Sequence, residues 1–175
     1  EDSDGNVRFI NTDGTVTMKG IELSAGFDTE RFFGSLSLTL ADTEQPISNN
    51  AGVGMDTYGQ LPDDYATLDL GVKLLNGDAR VGGRVRYVGE SSVATFTSFT
   101  DYSGTTVDLA SYTVFDLYGS WQVSDGFELY ASVENLFDKF YREAGTGLAT
   151  SGESLFGDGI GGRGRTVELG MTYRF

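Results

Sequence analysis

Thr166-Val167-Glu168-Leu169-Gly170-Met171-Thr172-Tyr173-Arg174-Phe175 decides how the rest of the chain reads. Val167, Leu169, Met171, Tyr173 and Phe175 share one parity, and Thr166, Glu168, Gly170, Thr172 and Arg174 the other. Such a period of two is the mark of a strand with an apolar and a polar face. Working backwards, the same alternation returns in Phe127, Leu129, Ala131 and Val133, in Phe115, Leu117, Gly119, Trp121 and Val123, and in Val81, Gly83, Val85 and Tyr87. It continues in Leu68, Leu70, Val72 and Leu74, then Leu36, Leu38 and Leu40, and then Ile21, Leu23, Ala25 and Phe27. With a short opening strand around Val7 to Asn11, the pattern predicts eight strands, near 6–12, 15–28, 32–44, 64–75, 78–91, 111–124, 127–140 and 164–175.

The connections alternate too. Asp28-Thr29-Glu30-Arg31, Asn76-Gly77-Asp78 and Ser124-Asp125-Gly126 carry hairpin chemistry. Between them lie long Gly/Ser/Thr/Asp-rich loops at 45–63, 92–110 and 141–163, and only Thr12-Asp13-Gly14 is short on that side. Short turns at one end and long loops at the other are the pattern of a transmembrane antiparallel β-barrel meander. A soluble β-sandwich also alternates apolar with polar residues. Three features favour the membrane: strands of about 12 residues instead of the usual 5–6; a polar face that carries glutamates and arginines suited to a wet or ion-paired lumen; and aromatics at strand ends (Phe27, Phe32, Phe33, Tyr65, Tyr87, Tyr112, Phe127, Phe140, Tyr141, Tyr173, Phe175), where interfacial girdles form.

Composition narrows the function classes. The 175 residues include 25 glycines and 2 prolines, no cysteine and no histidine. Disulfides, thiolate metal sites, cysteine nucleophiles and Ser-His-Asp triads are therefore absent from this stretch. Twelve Lys and Arg against 26 Asp and Glu give a formal charge of −14, which argues against nucleic acid. Asp63-Asp64 lies on a loop with nothing to set up acid–base work, and Asp56 or Gly157-Asp158-Gly159 lack the oxygen-ligand spacing of a calcium loop. The expectation is no enzyme, no catalytic residue, and no metal or cofactor held by this segment.

Glu134-Asn135-Leu136-Phe137-Asp138-Lys139-Phe140-Tyr141, followed by Gly164-Arg165-Thr166 and a strand ending Tyr173-Arg174-Phe175, closely resembles the C-terminus of TonB-dependent outer-membrane receptors. Lys19-Gly20-Ile21-Glu22-Leu23 is similar to the family's Gly-Val-Glu-Leu strand, and Ala41-Asp42-Thr43 to the end of its partner. The resemblance implies a 22-stranded barrel closed by an N-terminal plug, of which these strands are about the last third. On that reading residues 1–175 form the C-terminal part of the barrel without the plug or the TonB-engaging region, in the outer membrane of a Gram-negative-type envelope. Implied partners are outer-membrane lipid and lipopolysaccharide, the barrel-assembly machinery, and the TonB complex through an absent N-terminal region. The implied cargo is an iron chelate, either a ferric siderophore or heme, free or on a hemoprotein.

Phe140 to Gly145 and Gly162 to Thr166 lean toward heme receptors, although with no histidine this segment cannot supply the usual heme ligand. The −14 field sits awkwardly with an anionic chelate. The alternative is an autonomous eight-stranded barrel, an anchor or surface-interaction protein. Against it, the polar face is rich in small residues (Gly20, Ser24, Gly26, Ser35, Ser37, Gly71, Gly82) that fill a narrow barrel poorly.

Single residues follow from this frame. Phe96, Phe99 and Tyr102 on one loop, and Arg142 and Arg163 on the last, are the ligand candidates; loop packing is the structural alternative for the aromatics. Arg165 matches the family's Gly-Arg as a fixed strand-start residue. Val167, Leu169, Met171, Tyr173 and Phe175 resemble the signal read during barrel assembly, besides facing lipid. Asn135 breaks the parity after Val133 and is expected to cap the strand or mark a bulge rather than line a ligand path. Arg80, Arg84 and Arg86, beside Lys73 and Asp69, are expected to form ion pairs with Asp116, Glu128, Glu134 and Glu168 rather than to guide an anion.

Overall fold

The computed structural model describes residues 17–44, 62–98, 101–143, 149–150 and 161–175. The strand expected at 6–12 lies outside them. Ten strands are present among the described residues: β1 (Thr17–Asp28), β2 (Phe32–Glu44), β3 (Asp64–Leu74), β4 (Ala79–Val88), β5 (Ser91–Ser98), β6 (Asp101–Leu109), β7 (Tyr112–Ser124), β8 (Phe127–Glu134), β9 (Ala149–Thr150) and β10 (Thr166–Tyr173). Seven form an antiparallel sheet in the order β1-β2-β3-β4-β7-β8-β10, and the other three a second sheet, β6-β5-β9. Among the described residues β1 and β10 are the edges of an open wall.

Register turns the sequence alternation into two surfaces. One row runs Phe32–Val72–Val81–Gly119–Ala131–Leu169, and the next Leu36–Leu68–Val85–Phe115. Large apolar side chains stand open on this face, including Ile21, Leu70, Leu117, Trp121, Met171 and Tyr173, and charged residues share its parity only toward the loop end, as at Lys19, Asp42 and Asp64. The opposite face carries the rows Ser35–Asp69–Arg84–Asp116 and Ser37–Thr67–Arg86–Val114. A one-residue slip would exchange the two faces wholesale, so the opposite chemistry of the two faces pins the register.

The short turns behave as expected. Thr29 Oγ1 accepts the Phe32 N–H at 2.9 Å, and the Thr29 N–H donates to the Phe32 carbonyl at 2.8 Å. Leu75, Asn76 and Gly77 all take positive φ (53°, 58° and 105°), and the Asp78 N–H returns to the Leu75 carbonyl at 3.2 Å. At the third turn, a Cβ on Gly126 would stand 2.5 Å from the Arg174 carbonyl oxygen, which accepts no such neighbour; the Arg174 N–H in turn donates to the Gly126 carbonyl.

Two boundaries differ from expectation. The loop at 92–110 is largely the hairpin of β5 and β6, paired from Ser91↔Leu109 to Ser98↔Asp101 with an irregularity between Phe96 and Ser98. Its Ser/Thr-rich composition reads as loop, yet Val93, Thr95, Thr105, Thr106 and Val107 are β-branched and favour extended backbone. The hairpin continues the β4–β7 pair past a break at Gly89-Glu90, where the Gly89 N–H donates to the Asp64 carbonyl at 2.8 Å. β8 stops at Glu134, six residues short of the expected 140, because Asn135 (φ 48°) and Asp138 (φ 53°) reverse the chain.

Candidate functional site

The polar face is built as a lattice of cross-strand contacts. Arg84 Nε donates to Asp69 Oδ2 at 3.1 Å, and the Tyr118 hydroxyl donates to the other oxygen of the same carboxylate. Arg84 also lies over the Tyr118 ring, 5.9 Å from its centre, and Arg80 over Phe33 at 6.0 Å. Lys73 pairs with Asp28 and donates to the Thr29 carbonyl at 2.8 Å, tying β3 to the first turn.

Three aromatic rings lie directly on glycines of the facing strand: Phe33 on Gly71, Tyr118 on Gly82 and Tyr130 on Gly170. A Cβ at those glycines would fall 2.0–2.5 Å from ring atoms. The small residues of this face thus make room for rings folded flat across it, the pairing that supports a sheet where glycine supplies no side chain.

The end of β8 ties that lattice to β10. Asn135 is 4% exposed. Its N–H donates to Asp116 Oδ1 at 2.8 Å, and its Nδ2 donates to the carbonyls of Lys139 (2.9 Å) and Arg163 (3.1 Å). Its Oδ1 accepts the Lys139 N–H at 2.9 Å. Asp138 Oδ1 accepts the Arg165 N–H at 2.8 Å, which holds Arg165 at the start of β10. Asn135 is therefore the strand cap that its broken parity suggested.

After this reversal Tyr141 folds over the polar face. It stacks on Tyr112 with ring centres 4.3 Å apart, and the two form a small buried cluster with Val88 and Val114. Gly162 lies under the Tyr141 ring and donates its N–H to the Tyr141 carbonyl at 2.8 Å. Below the cluster opens a polar recess of about 530 Å³, whose walls include Asp69, Arg84, Arg86, Asp116, Glu134 and Arg163. Cations and carboxylates are interleaved there, and the buried Nε of Arg86 has no hydrogen-bond partner. Such a wall offers both signs of charge to whatever occupies the space before it.

Several expected roles change. Arg84 pairs with Asp69 on the neighbouring strand, not with Asp116, Glu128, Glu134 or Glu168. Asp116 instead receives the main-chain N–H of Asn135, and Arg80 rests on an aromatic ring. Glu134 does pair across the wall, at 3.6 Å, but with Arg163. Register explains the outcome: Arg84 sits directly opposite both Asp69 and Asp116, and the reversal at Asn135 claims the second.

Of the ligand candidates, Arg163 lines the recess and Arg142 lies 5.9 Å from the centre of the Phe140 ring and bridges to Gly161. Phe96 falls on β5, opposite Gly104 and beside Thr150, and Tyr102 falls on β6. Their side chains, and Phe99 altogether, lie outside the described residues. β5 pairs with β9 at Thr95↔Ala149 and Phe96↔Thr150, so these two stretches of the long connections meet. Val167, Leu169, Met171, Tyr173 and Phe175 stand open on the apolar face. Sequence reasoning missed the Tyr112–Tyr141 cluster; the signal available was Tyr112 and Tyr141 at the loop ends of two neighbouring strands. Among the described residues no group of His, Cys, Asp and Glu is arranged to hold a metal, and no helix is long and apolar enough to cross a membrane.

Known proteins share this architecture. The family described as TonB dependent receptor-like, beta-barrel matches residues 1–136. A probable TonB-dependent receptor of Haemophilus influenzae is 27% identical over 72% of this chain and 17% of its own length. The ferripyoverdine receptor of the outer membrane of Pseudomonas aeruginosa superposes with a TM-score of 0.65 at 18% identity, over 90% of this chain and 19% of the receptor. The copper transporter OprC superposes with a TM-score of 0.63 at 24% identity, over 91% of this chain and 24% of its own. The chain spans about a fifth of the length of these proteins, and its wall is part of a barrel of their kind. The apolar face thus looks onto lipid and the polar face onto the barrel interior, and the chain belongs to the TonB-dependent receptor β-barrel family of the outer membrane.

Proposed function

We propose that this chain is part of the barrel wall of an outer-membrane transporter that takes up a scarce metal as an iron chelate, a ferric siderophore or heme, with TonB supplying the energy. The observation that carries the reading is the two-faced wall: a broad apolar surface backed by a charged, cross-linked surface with a polar recess under Tyr141. A narrow self-filled barrel has no use for such a recess, whereas a wide plugged barrel needs a wetted, charged interior. Iron is favoured over other metals by the ferripyoverdine receptor among the structural neighbours; the copper transporter OprC supplies the competing cargo.

In this proposal residues 1–175 complete a 22-stranded barrel whose plug and TonB-engaging region lie elsewhere in the protein. The 92–110 and 141–163 segments, with Phe96, Phe99, Tyr102, Arg142 and Arg163, form one side of the ligand entrance. The experiment is uptake by cells carrying the intact receptor, supplied with ferric siderophores, heme or copper as sole source of the metal. TonB-dependent iron or heme uptake, lowered by a Phe99→Ala/Tyr102→Ala double substitution, supports it. Uptake of copper alone would overturn the cargo, and uptake unaffected by loss of TonB would overturn the mechanism.

A further inference from the structure

The polar recess under Tyr141 lies toward the loop end of the inner face. A second hollow on that face, of about 280 Å³, opens nearer the short turns and shares no lining residue with the first. Phe33, Arg80, Tyr118, Ser120, Tyr130 and Ser132 line it. Register shows how it forms. Arg80, Ser120 and Tyr130 stand in one row, and Phe33, Tyr118 and Ser132 in the next, with Gly71 and Gly82 between Phe33 and Tyr118. Each of the three rings is folded onto a glycine, and the short side chains of Ser120 and Ser132 fill little of the space that remains.

Arg80 is a cation that the inner lattice leaves over. Lys73 pairs with Asp28 and Arg84 with Asp69, whereas Arg80 has the Phe33 ring 6.0 Å away and, among the described residues, no hydrogen bond or ion pair. Its guanidinium keeps a fork of N–H donors for a carboxylate, which such a fork grips with two parallel bonds. The rings of Tyr118 and Tyr130 ask for a flat aromatic partner. The volume stands at the small end of ligand pockets, about 300–1,000 Å³, and suits a single ring with its acid group. An aliphatic acid forgoes the ring contacts, and a neutral ring forgoes the charge-assisted bonds.

We propose that this hollow is a binding site for a monocyclic aryl carboxylate, its acid group on Arg80 and its ring between Tyr118 and Tyr130. Arg80 and Ser120 lie within a few residues of two of the short turns, and short turns face the periplasm in outer-membrane barrels. The site therefore opens in the periplasmic half of the barrel interior, apart from the ligand entrance at the long loops.

The intact receptor, purified in detergent, would be titrated with benzoate by ligand-observed NMR, with benzyl alcohol and cyclohexanecarboxylate as the neutral and the non-aromatic counterparts. Benzoate should bind more tightly than either, by about tenfold over the alcohol, the ratio that a lost charge-assisted bond gives. Arg80→Gln should lower benzoate affinity about tenfold, and Ser120→Leu, which fills the hollow, should abolish saturable binding. Arg163→Gln, in the recess toward the loops, should bind as the parent does. Heat-modifiable migration on a gel would verify that each variant is folded. A parent that does not bind benzoate, a folded Arg80→Gln or Ser120→Leu variant that binds it as the parent does, equal affinity for either counterpart, or loss of binding in Arg163→Gln would each overturn the proposal. No metal enters this titration, so its failure leaves the uptake reading standing, and failure of the uptake experiment leaves the site standing.

Discussion

The two faces of one sheet are held by different physics. The outer face is a field of open apolar side chains in which any one residue has few specific neighbours, and Leu169 stands 78% exposed on the bare wall. The inner face is a lattice in which Asp69, Arg84 and Tyr118 each depend on the others. Hydrocarbon asks the first only to be apolar; the second has to satisfy charges pair by pair. The outer face should therefore tolerate any apolar exchange and no charge, and the inner face the reverse.

The sharpest way to break that contrast is a charge on the outer face. Leu169→Arg in the intact receptor should cost about 2–4 kcal/mol, as a cation near the membrane midplane does, whereas Glu168→Gln, one residue away on the inner face, should stay within about 0.5 kcal/mol. Urea unfolding from lipid vesicles would measure both. Next in size is Asn135→Ala. It leaves the Lys139 N–H and the Lys139 and Arg163 carbonyls without their partner, at about 2–3 kcal/mol, read as a lower midpoint of thermal unfolding.

Gly82→Val follows, at about 1–3 kcal/mol, because the Tyr118 ring has to leave its seat and abandon its bond to Asp69. On the outer face, Gly83→Ala, where a methyl group meets the end of the Leu117 side chain at 3.3 Å and needs only a small shift of it, should fall well below it. Smallest is Arg84→Gln: the arginine is half exposed, so its ion pair contributes under about 1 kcal/mol and should weaken further with added salt.

Legibility in the sequence follows the same division. The outer face needs only parity, so Ile21 to Phe27 and Val167 to Phe175 announced their strands and their orientation. The short turns were equally plain, since Asn76-Gly77 and Asp125-Gly126 supply left-handed or close-packed backbone where the chain reverses. The Arg84–Asp69 pairing was not plain, because it depends on register across strands fifteen residues apart, and several carboxylates share the same parity. The Tyr112–Tyr141 cluster was hidden for a different reason. Tyr141 reaches the inner face only because the chain turns back at Asn135, and parity counting carried the strand through that point. The β5–β6 hairpin was masked by its Ser and Thr content, which suits a water-exposed strand as well as a loop. Family resemblance of Glu134 to Tyr141 pointed to the right class, and Lys19-Gly20 and Ala41-Asp42 do face one another as partners across β1 and β2.

The way β5 and β6 grow out of β4 and β7 makes the outer hairpin a cassette. Its arms meet the membrane-spanning pair at the Gly89-Glu90 and Ala110-Ser111 joints. Residues added in matched pairs, one to each arm, lengthen the reach into the medium while every row below keeps its partner. The height of this projection can therefore change on a wall whose own register is left as it is.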